Sequence, residues 1–213
     1  MTAIEWGEVG QRRFETGVDR GVLYLPDGSA VPWNGLTEVT DDRATEVKSY
    51  YIDGIKYLDH HVPGAYSGKI AAFTYPDEFD AVLGNSPFSP GVTVYDQPIQ
   101  LFHLSYRTLV GNDIDGIEHG YRLHVLYNLT AKQGSLTAKT IGDQIEPNVF
   151  QWDVTGTPPI MSGIRPTNHI SFDSRHMDSG LLAEIEGLLY GTDEADPALP
   201  DAVTLLGMVD VVA

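Results

Sequence analysis

Two stretches in the middle of the chain alternate between apolar and polar residues, and this period of two sets the strongest limit on the fold. They are Leu101–Val110 (LFHLSYRTLV) and Tyr121–Thr130 (YRLHVLYNLT). Successive side chains of a β-strand point to opposite faces of its sheet, so both stretches are predicted to be strands. In the second stretch one face carries Tyr121, Leu123, Val125, Tyr127 and Leu129, and the other carries Arg122, His124, Leu126 and Asn128. We therefore expect one buried face and one face in a wetter environment.

The ten residues between these strands, Gly111–Gly120 (GNDIDGIEHG), are predicted to form a loop about twice as long as the usual hairpin connection. Long connections in compact domains are often functional, so we expect a contact between subunits here. The residues assigned to this contact are Gly111, Asn112, Asp113, Asp115, Gly116 and His119. The loop resembles a calcium-binding loop, but aligning Asp115 and Gly116 with that motif puts Gly111 and Arg122 where acids are needed.

Shorter patterns predict the remaining strands. Apolar runs bounded by Gly, Pro, Asn and Asp are typical of strands and turns. They predict a hairpin over Gly17–Leu36 and strands over Tyr50–Leu58, Lys69–Tyr75, Asn148–Thr155 and Thr167–Asp173. The polar stretch Glu38–Ser49 is predicted to be a solvated loop or an edge strand.

Two segments carry helix signals. A polar start, an apolar stripe and a terminal glycine predict a helix over Ser179–Tyr190. Proline at the start, acids in the first turn and a glycine stop predict a shorter helix within Pro76–Gly84. The chain is therefore predicted to be a single mainly β domain over residues 1–213, a β-sandwich or partly closed barrel with the longer helix on one face. We expect the apolar end of the C-terminal extension, residues 192–213, to dock on its own domain or on a neighbour.

The charge balance is strongly acidic, with 30 Asp and Glu against 13 Lys and Arg and a net charge of -17. Such a surface repels phosphate, which argues against tight nucleic-acid binding. Two interpretations remain open: solubility, or a channel lined with carboxylates through which a polyanion passes without sticking. The chain has no cysteine, so disulfides, thiolate zinc sites and a cysteine nucleophile are excluded. No run approaches the roughly 18 apolar residues of a membrane span, and we expect an unexported protein without membrane contact.

Motifs of the common enzyme classes are missing from the sequence. It has no GxxxxGK[ST], GxGxxG or HExxH pattern. Ser105 lies in a predicted strand without a nucleophile elbow, and Asp77 and Glu78 are better explained as charges at a helix start. Neighbouring strand residues face opposite ways, so the Asp59–His61 cluster favours structural histidines over a metal site. We assign no catalytic, cofactor-binding or metal residue, and we expect a protein that is not an enzyme.

Aromatic residues are spread along the chain. Trp6, Trp33 and Trp152 and eleven tyrosines could form a platform for sugar stacking. Their scatter across predicted strands favours packing in the core and at interfaces, where aromatic side chains bury large areas.

Several blocks of the sequence resemble a family of tail proteins from long-tailed, flexible-tailed phages of actinobacteria. In chain order, the blocks are Gly17–Leu36, Ala72–Phe79 (AFTYPDEF), Leu104–Asp113 (LSYRTLVGND), His119–Asn128 (HGYRLHVLYN) and Phe150–Pro158 (FQWDVTGTP). The resemblance spans most of the chain, and it contains no catalytic or metal signature.

The resemblance implies a structural protein of the virion, namely the subunit of the tail tube. It implies a homo-oligomer of hexameric rings stacked into a tube, in contact with tape measure, terminator and tip proteins, through which DNA passes without specific binding. A minor tail or tail-tip protein is the nearest alternative, and a domain that binds host-surface carbohydrate is a more distant one.

Overall fold

The computed structural model describes residues 6–42, 45–136, 140, 147–161 and 163–210. In chain order the strands of this part are β1 (Phe14–Tyr24), β2 (Ala30–Pro32), β3 (Leu36–Asp41), β4 (Thr45–Ile52), β5 (Ile55–Pro63), β6 (Tyr66–Ala72), β7 (Ser86–Ser89), β8 (Val92–Val94), β9 (Phe102–Asn112), β10 (Gly116–Gln133), β11 (Phe150–Gly156) and β12 (His169–Asp173). The helices are α1 (Phe79–Leu83), α2 (Ser179–Tyr190) and α3 (Ala202–Asp210). The prediction of a mainly β fold with flanking helices is confirmed.

One large antiparallel sheet organises the fold, in the strand order β2-β1-β9-β10-β11-β6-β3. Its longest strand, β10, pairs with β9 on one side, and on the other side with β12 near its start and β11 near its end. The far edge strand β3 curls back to contact β1. In the described part of the chain the sheet does not close into a barrel.

A bulge divides β10 into its two halves. The register with β9 shifts between Leu126 and Leu129, and Asn128 adopts a left-handed backbone with φ of 51°. One extra residue moves every following side chain to the opposite face. Leu123 and Val125 therefore pack on one face of the sheet, whereas Leu129 packs on the other face with Leu126. The predicted alternation, which placed Leu129 with Leu123, is wrong at this point, and apolar clusters cover both faces.

The first cluster is built around α1. Phe79 is fully buried, and its ring lies 4.7 Å from that of Trp33, 5.2 Å from Trp152 and 5.3 Å from Phe102. The helix ends at Gly84, whose φ of 74° is the left-handed conformation that glycine adopts without strain. The predicted short helix is confirmed, with a start at Phe79 instead of the preceding acids.

The second cluster lies beneath α2 and α3. The Asp178 side chain caps α2 by accepting hydrogen bonds from the backbone of Gly180 and Leu181, and α2 has the bounds that the sequence predicts. The C-terminal segment forms α3, which buries Leu205 against the same face of the sheet. The described part of the apolar C-terminal segment thus docks on its own domain, in a helix that the sequence analysis does not predict.

A buried arginine ties α2 to the sheet. Arg107 of β9 donates to both carboxylate oxygens of Asp19 at 2.9 and 2.8 Å, and its guanidinium lies 4.4 Å from the centre of the Tyr121 ring. On the helix side its Nη1 is 3.7 Å from Oε1 of Glu186. One side chain therefore joins β1, β9, β10 and α2.

Candidate assembly surfaces

The β4–β5 hairpin is a two-stranded sheet that pairs with no other described strand. Its strands meet at Asp53 and Gly54, whose φ values of 53° and 79° suit a tight turn that matches the twist of paired strands. A hairpin of two strands is only marginally stable in water without further packing. This element therefore depends on contacts beyond its own backbone pairing.

One face of this hairpin is apolar near its tip. The register pairs Tyr50 with Leu58 and Ile52 with Ile55, and this places the four side chains on a common face. All four are exposed, with Ile55 at 73%. The opposite face is mixed: Ser49 Oγ donates to Asp59, Lys56 forms an ion pair with the same carboxylate, and the Tyr51 side chain beside them is 64% exposed. We name the four apolar residues the hairpin face.

A second small hairpin, β7–β8, adds further exposed apolar residues. It forms its own two-stranded sheet, and Phe88 of β7 is 79% exposed. The chain that follows it exposes Tyr95, Ile99 and Leu101. These exposed apolar side chains are candidates for contact with a partner, because large apolar side chains that are gathered on a protein surface often mark interaction sites.

The β9–β10 connection is shorter than predicted. Strand β9 continues to Asn112 and β10 begins at Gly116, so three residues of turn replace the expected ten-residue loop. Gly111 and Asn112 belong to β9, and Gly116 and His119 to β10. The loop prediction is wrong because polar and glycine residues here remain in a paired, irregular ladder.

Polar side chains at this turn bind one another. Asn112 is buried, and its Oδ1 accepts from the backbone of Ile114 at 3.0 Å and of Asp115 at 2.6 Å. Nδ1 of His119 lies 3.0 Å from Asp115 Oδ2 and 3.1 Å from Asn112 Nδ2. Asp113 accepts a hydrogen bond from the backbone of Gly10. The predicted residues thus hold the turn together, and the side chains of Ile114 and Ile117 are exposed there.

Several basic residues form ion pairs with acidic residues of the same chain. Arg175 forms a bidentate pair with Asp173, whose second partner is Arg122. These hydrogen bonds hold the pKa of Asp173 far below its ordinary value. Arg122 also binds Glu15 at 2.8 Å. Because these arginines are paired with carboxylates of the same chain, they do not offset the excess negative charge on the rest of the surface.

The structure also shows where the tryptophans and Ser105, which the sequence analysis considered as candidate functional residues, are located. Trp33 and Trp152 lie in the core, as packing predicts, whereas Trp6 is 84% exposed in the single chain. Ser105 is buried 3.2 Å from the Tyr24 hydroxyl. Within the described ranges no group of three His, Asp or Glu side chains is placed to hold a metal ion. No helix of the described residues is long and apolar enough to cross a membrane.

Sequence reasoning missed the hairpin face, although its signal is present in the sequence. Apolar residues flank Asp53-Gly54 symmetrically, which is a strong indication of a tight hairpin. The strand prediction over Tyr50–Leu58 covered this turn without separating its two strands.

No family model and no curated protein matches the chain. Among solved structures, it is similar to a chain of the sheath-tube complex of an extracellular contractile injection system, PVC, in the extended state. That alignment has 12% identity and a TM-score of 0.39, and covers 72% of this chain and 88% of the other. It is also similar to the tube-terminating cap of the anti-feeding prophage, with 10% identity, a TM-score of 0.40, and coverage of 81% and 95%. A third similarity is to the baseplate of the same prophage, with 9% identity, a TM-score of 0.37, and coverage of 82% and 100%.

Proposed function

We propose that this chain is a non-enzymatic structural subunit of a long-tailed phage, which joins copies of itself into the stacked rings of the tail tube. The observation that carries the proposal is the unpartnered hairpin face on β4–β5, held apart from an otherwise well-packed sheet. The blocks that resemble tail proteins of actinobacterial phages support the same assignment. Hexameric rings, contacts with tape measure, terminator and tip proteins, and location in the virion follow from that resemblance.

Burial of the hairpin face supplies a driving force of the right size. Fully burying one Leu, Ile or similar side chain stabilises an association by about 1.5–3 kcal/mol. Tyr50, Ile52, Ile55 and Leu58 are 43–73% exposed, so a neighbouring copy that covers them gains a part of this amount from each. The same cover would protect the open edges of the two strands, which otherwise invite uncontrolled pairing.

Repetition of this contact builds an open assembly. A hairpin that meets a different surface of the next copy makes a head-to-tail contact, and such contacts generate rings or filaments. The exposed residues of β7–β8 and the tip at Ile114 provide further surfaces for neighbours in the same or an adjacent ring.

The excess negative charge fits a conduit for DNA. A net charge of -17 gives a polyanion little to bind. Carboxylates along the inner wall would let DNA pass without sticking. Charge mapped on an assembled tube tests this corollary, which a strongly basic inner wall would refute.

The proposal is tested with one variant and one matched control. Ile55→Lys places a charge in the hairpin face, whereas Ile160→Lys makes the same change at an isolated residue that is 95% exposed. In sedimentation velocity and negative-stain microscopy, we expect rings or tubes from the natural chain and from Ile160→Lys, and monomers from Ile55→Lys. A natural chain that remains monomeric at every concentration, or an Ile55→Lys variant that assembles normally, would overturn it.

Copy number in purified virions separates the tube subunit from the alternative within the tail. A tube subunit is among the most abundant proteins of the particle. If the virion contains only a few copies of this chain, it is instead a minor tail or tail-tip protein.

A further inference from the structure

A line of five polar side chains crosses the large sheet, and neither the assembly surfaces nor the core account for it. Asp41 Oδ2 lies 2.9 Å from His169 Nδ1, and His169 Nε2 lies 2.8 Å from His124 Nδ1. His124 Nε2 is 3.0 Å from the Thr108 hydroxyl, which donates to Glu15 at 2.5 Å. The line joins β3, β12, β10, β9 and β1. It is a continuous chain of four hydrogen bonds between two carboxylates.

The number of hydrogens in this line fixes its charge. Four hydrogen bonds need four hydrogens, and a carboxylate at either end can only accept. The Thr108 hydroxyl supplies one, so the two imidazoles must supply three. Two neutral imidazoles carry one N–H each, or two in total. One of the pair, His124 or His169, must therefore be an imidazolium.

Geometry favours His169 as the charged ring. His169 contacts the carboxylate of Asp41, whereas His124 contacts the neutral Thr108 hydroxyl and is stacked 4.7 Å from the Tyr106 ring. Burial and, after it, the positive charge of His169 lower the pKa of His124 to about 4. A neutral His124 beside a charged His169 satisfies every bond of the line.

The groups around the pair are consistent with a single proton. On the β10 side Arg122 faces the pair, and its charge is matched by Glu15 at 2.8 Å and Asp173 at 3.4 Å. On the β6 side the Tyr66 ring stands edge-on to His169 at 6.4 Å. Glu15 Oε1 also lies 3.8 Å from His124 Nε2. Arg122, the cation among these neighbours, is thus already paired with two carboxylates.

We propose that His124 and His169 form a buried proton-binding site, which holds one proton at neutral pH and uses it to fasten the end of β3 to β12. With the proton bound, all four hydrogen bonds are made, and the bond from His169 to Asp41 joins opposite charges. Without it one bond of the line must be lost. A second proton would set two cations against each other at the 2.8 Å contact between the rings.

The fastened strand lies at the base of the β4–β5 hairpin. Asp41 is the last residue of β3, and β4 begins at Thr45. Asp42 is held separately, because Ser67 Oγ donates to its carbonyl at 2.6 Å. The proton site therefore adds a side-chain contact to the backbone pairing with β6 that already holds this end of β3 at the root of the hairpin. The protonation inference itself does not rest on the proposed function.

The test is a pH titration of the full chain labelled with ¹⁵N-histidine, followed by NMR of the ring nitrogens. Spectra are recorded in solution, or by magic-angle spinning for assembled material, with each ring assigned through bonds to its backbone. At pH 7 we expect both ring nitrogens of His169 to be protonated, and His124 to be neutral with its proton on Nε2. Two neutral rings at pH 7 would overturn the proposal.

Asp41→Asn tests the role of the carboxylate. Removing this negative charge is expected to make His169 lose its proton at a pH lower by about one unit or more. His176→Gln, which removes a histidine with a 67% exposed side chain, serves as the control and should leave both rings unchanged. An Asp41→Asn titration that overlays that of the natural chain would also contradict the site. Assembly is not needed for either readout, so the proposed function can fail while this site stands.

Discussion

The buried His124 ring makes the stability of the fold depend on pH in a direction that the structure fixes. Its pKa is lowered from the ordinary 6.5 to about 4, first because burial disfavours the charged ring and then because of the charge on His169. The unfolded chain therefore takes up a proton at a higher pH than the folded chain does. The stabilisation from this group is complete above pH 6.5 and is lost as the pH falls toward 4.

The size of the effect follows from the two pKa values. Between pH 7 and pH 5 the natural chain should lose about 2 kcal/mol of unfolding free energy through His124 alone. His124→Gln keeps a polar side chain that does not titrate, so it should lack this loss. Burial also lowers the pKa of His103, but that residue is common to both proteins and cancels in the comparison.

Urea unfolding at the two pH values, followed by tryptophan fluorescence at concentrations where the chain is monomeric, measures the difference. With a slope of about 2–3 kcal/mol per M, the natural midpoint should fall by roughly 0.7–1 M more than that of His124→Gln. His176→Gln should behave like the natural chain. Equal falls in the natural chain and His124→Gln would refute the reasoning.

Three substitutions test the packing of the sheet at neutral pH, Arg107→Leu and Phe79→Ala by urea unfolding and Gly68→Ala by hydrogen exchange. Arg107→Leu removes both hydrogen bonds to Asp19 and should cost about 2 kcal/mol, and a neutral result would mean that this pair does not hold the sheet. Gly68→Ala puts a methyl group 2.3 Å from the Thr40 carbonyl oxygen, so we expect faster hydrogen exchange across the β3–β6 ladder, and unchanged exchange would contradict the register. Phe79→Ala empties the centre of the first cluster and should cost about 3–5 kcal/mol, and a cost below about 1 kcal/mol would be incompatible with its full burial.

Local patterns in the sequence predict much of the fold, because they act over a few residues. Helix α2 has its cap, stripe and glycine stop in one segment, and its bounds are those predicted. The alternation in β9 and β10 likewise predicts two adjacent strands. It fails at Asn128, where a single bulge reverses the faces, since a residue in a left-handed bulge has no distinct signal in a period of two.

Features that depend on distant parts of the chain were not predictable. Helix α3 does carry a start signal in Asp201, which caps it and which the sequence analysis overlooked, but the burial of Leu205 depends on the second cluster. The turn at Asn112 is closed by His119 and Asp115, whose side chains approach only once the strands pair. His124 and His169 are far apart in the sequence, and only the β10–β12 pairing brings their rings together.

For the hairpin face too, local sequence signals predict one part of the structure, and distant parts of the chain determine the rest. Asp53-Gly54 predicts its turn, and the apolar residues on either side predict its two strands. That the face remains uncovered depends on the rest of the fold, which packs around the large sheet and leaves β4–β5 to pair with itself.

A cryo-EM reconstruction of the tail of the particle that carries this chain tests the central claim most directly. The account predicts that the repeating subunit of the tube is this chain, with Tyr50, Ile52, Ile55 and Leu58 covered by a neighbouring copy. A tube built from another polypeptide, or a tube of this chain in which that face remains open to solvent, would contradict it.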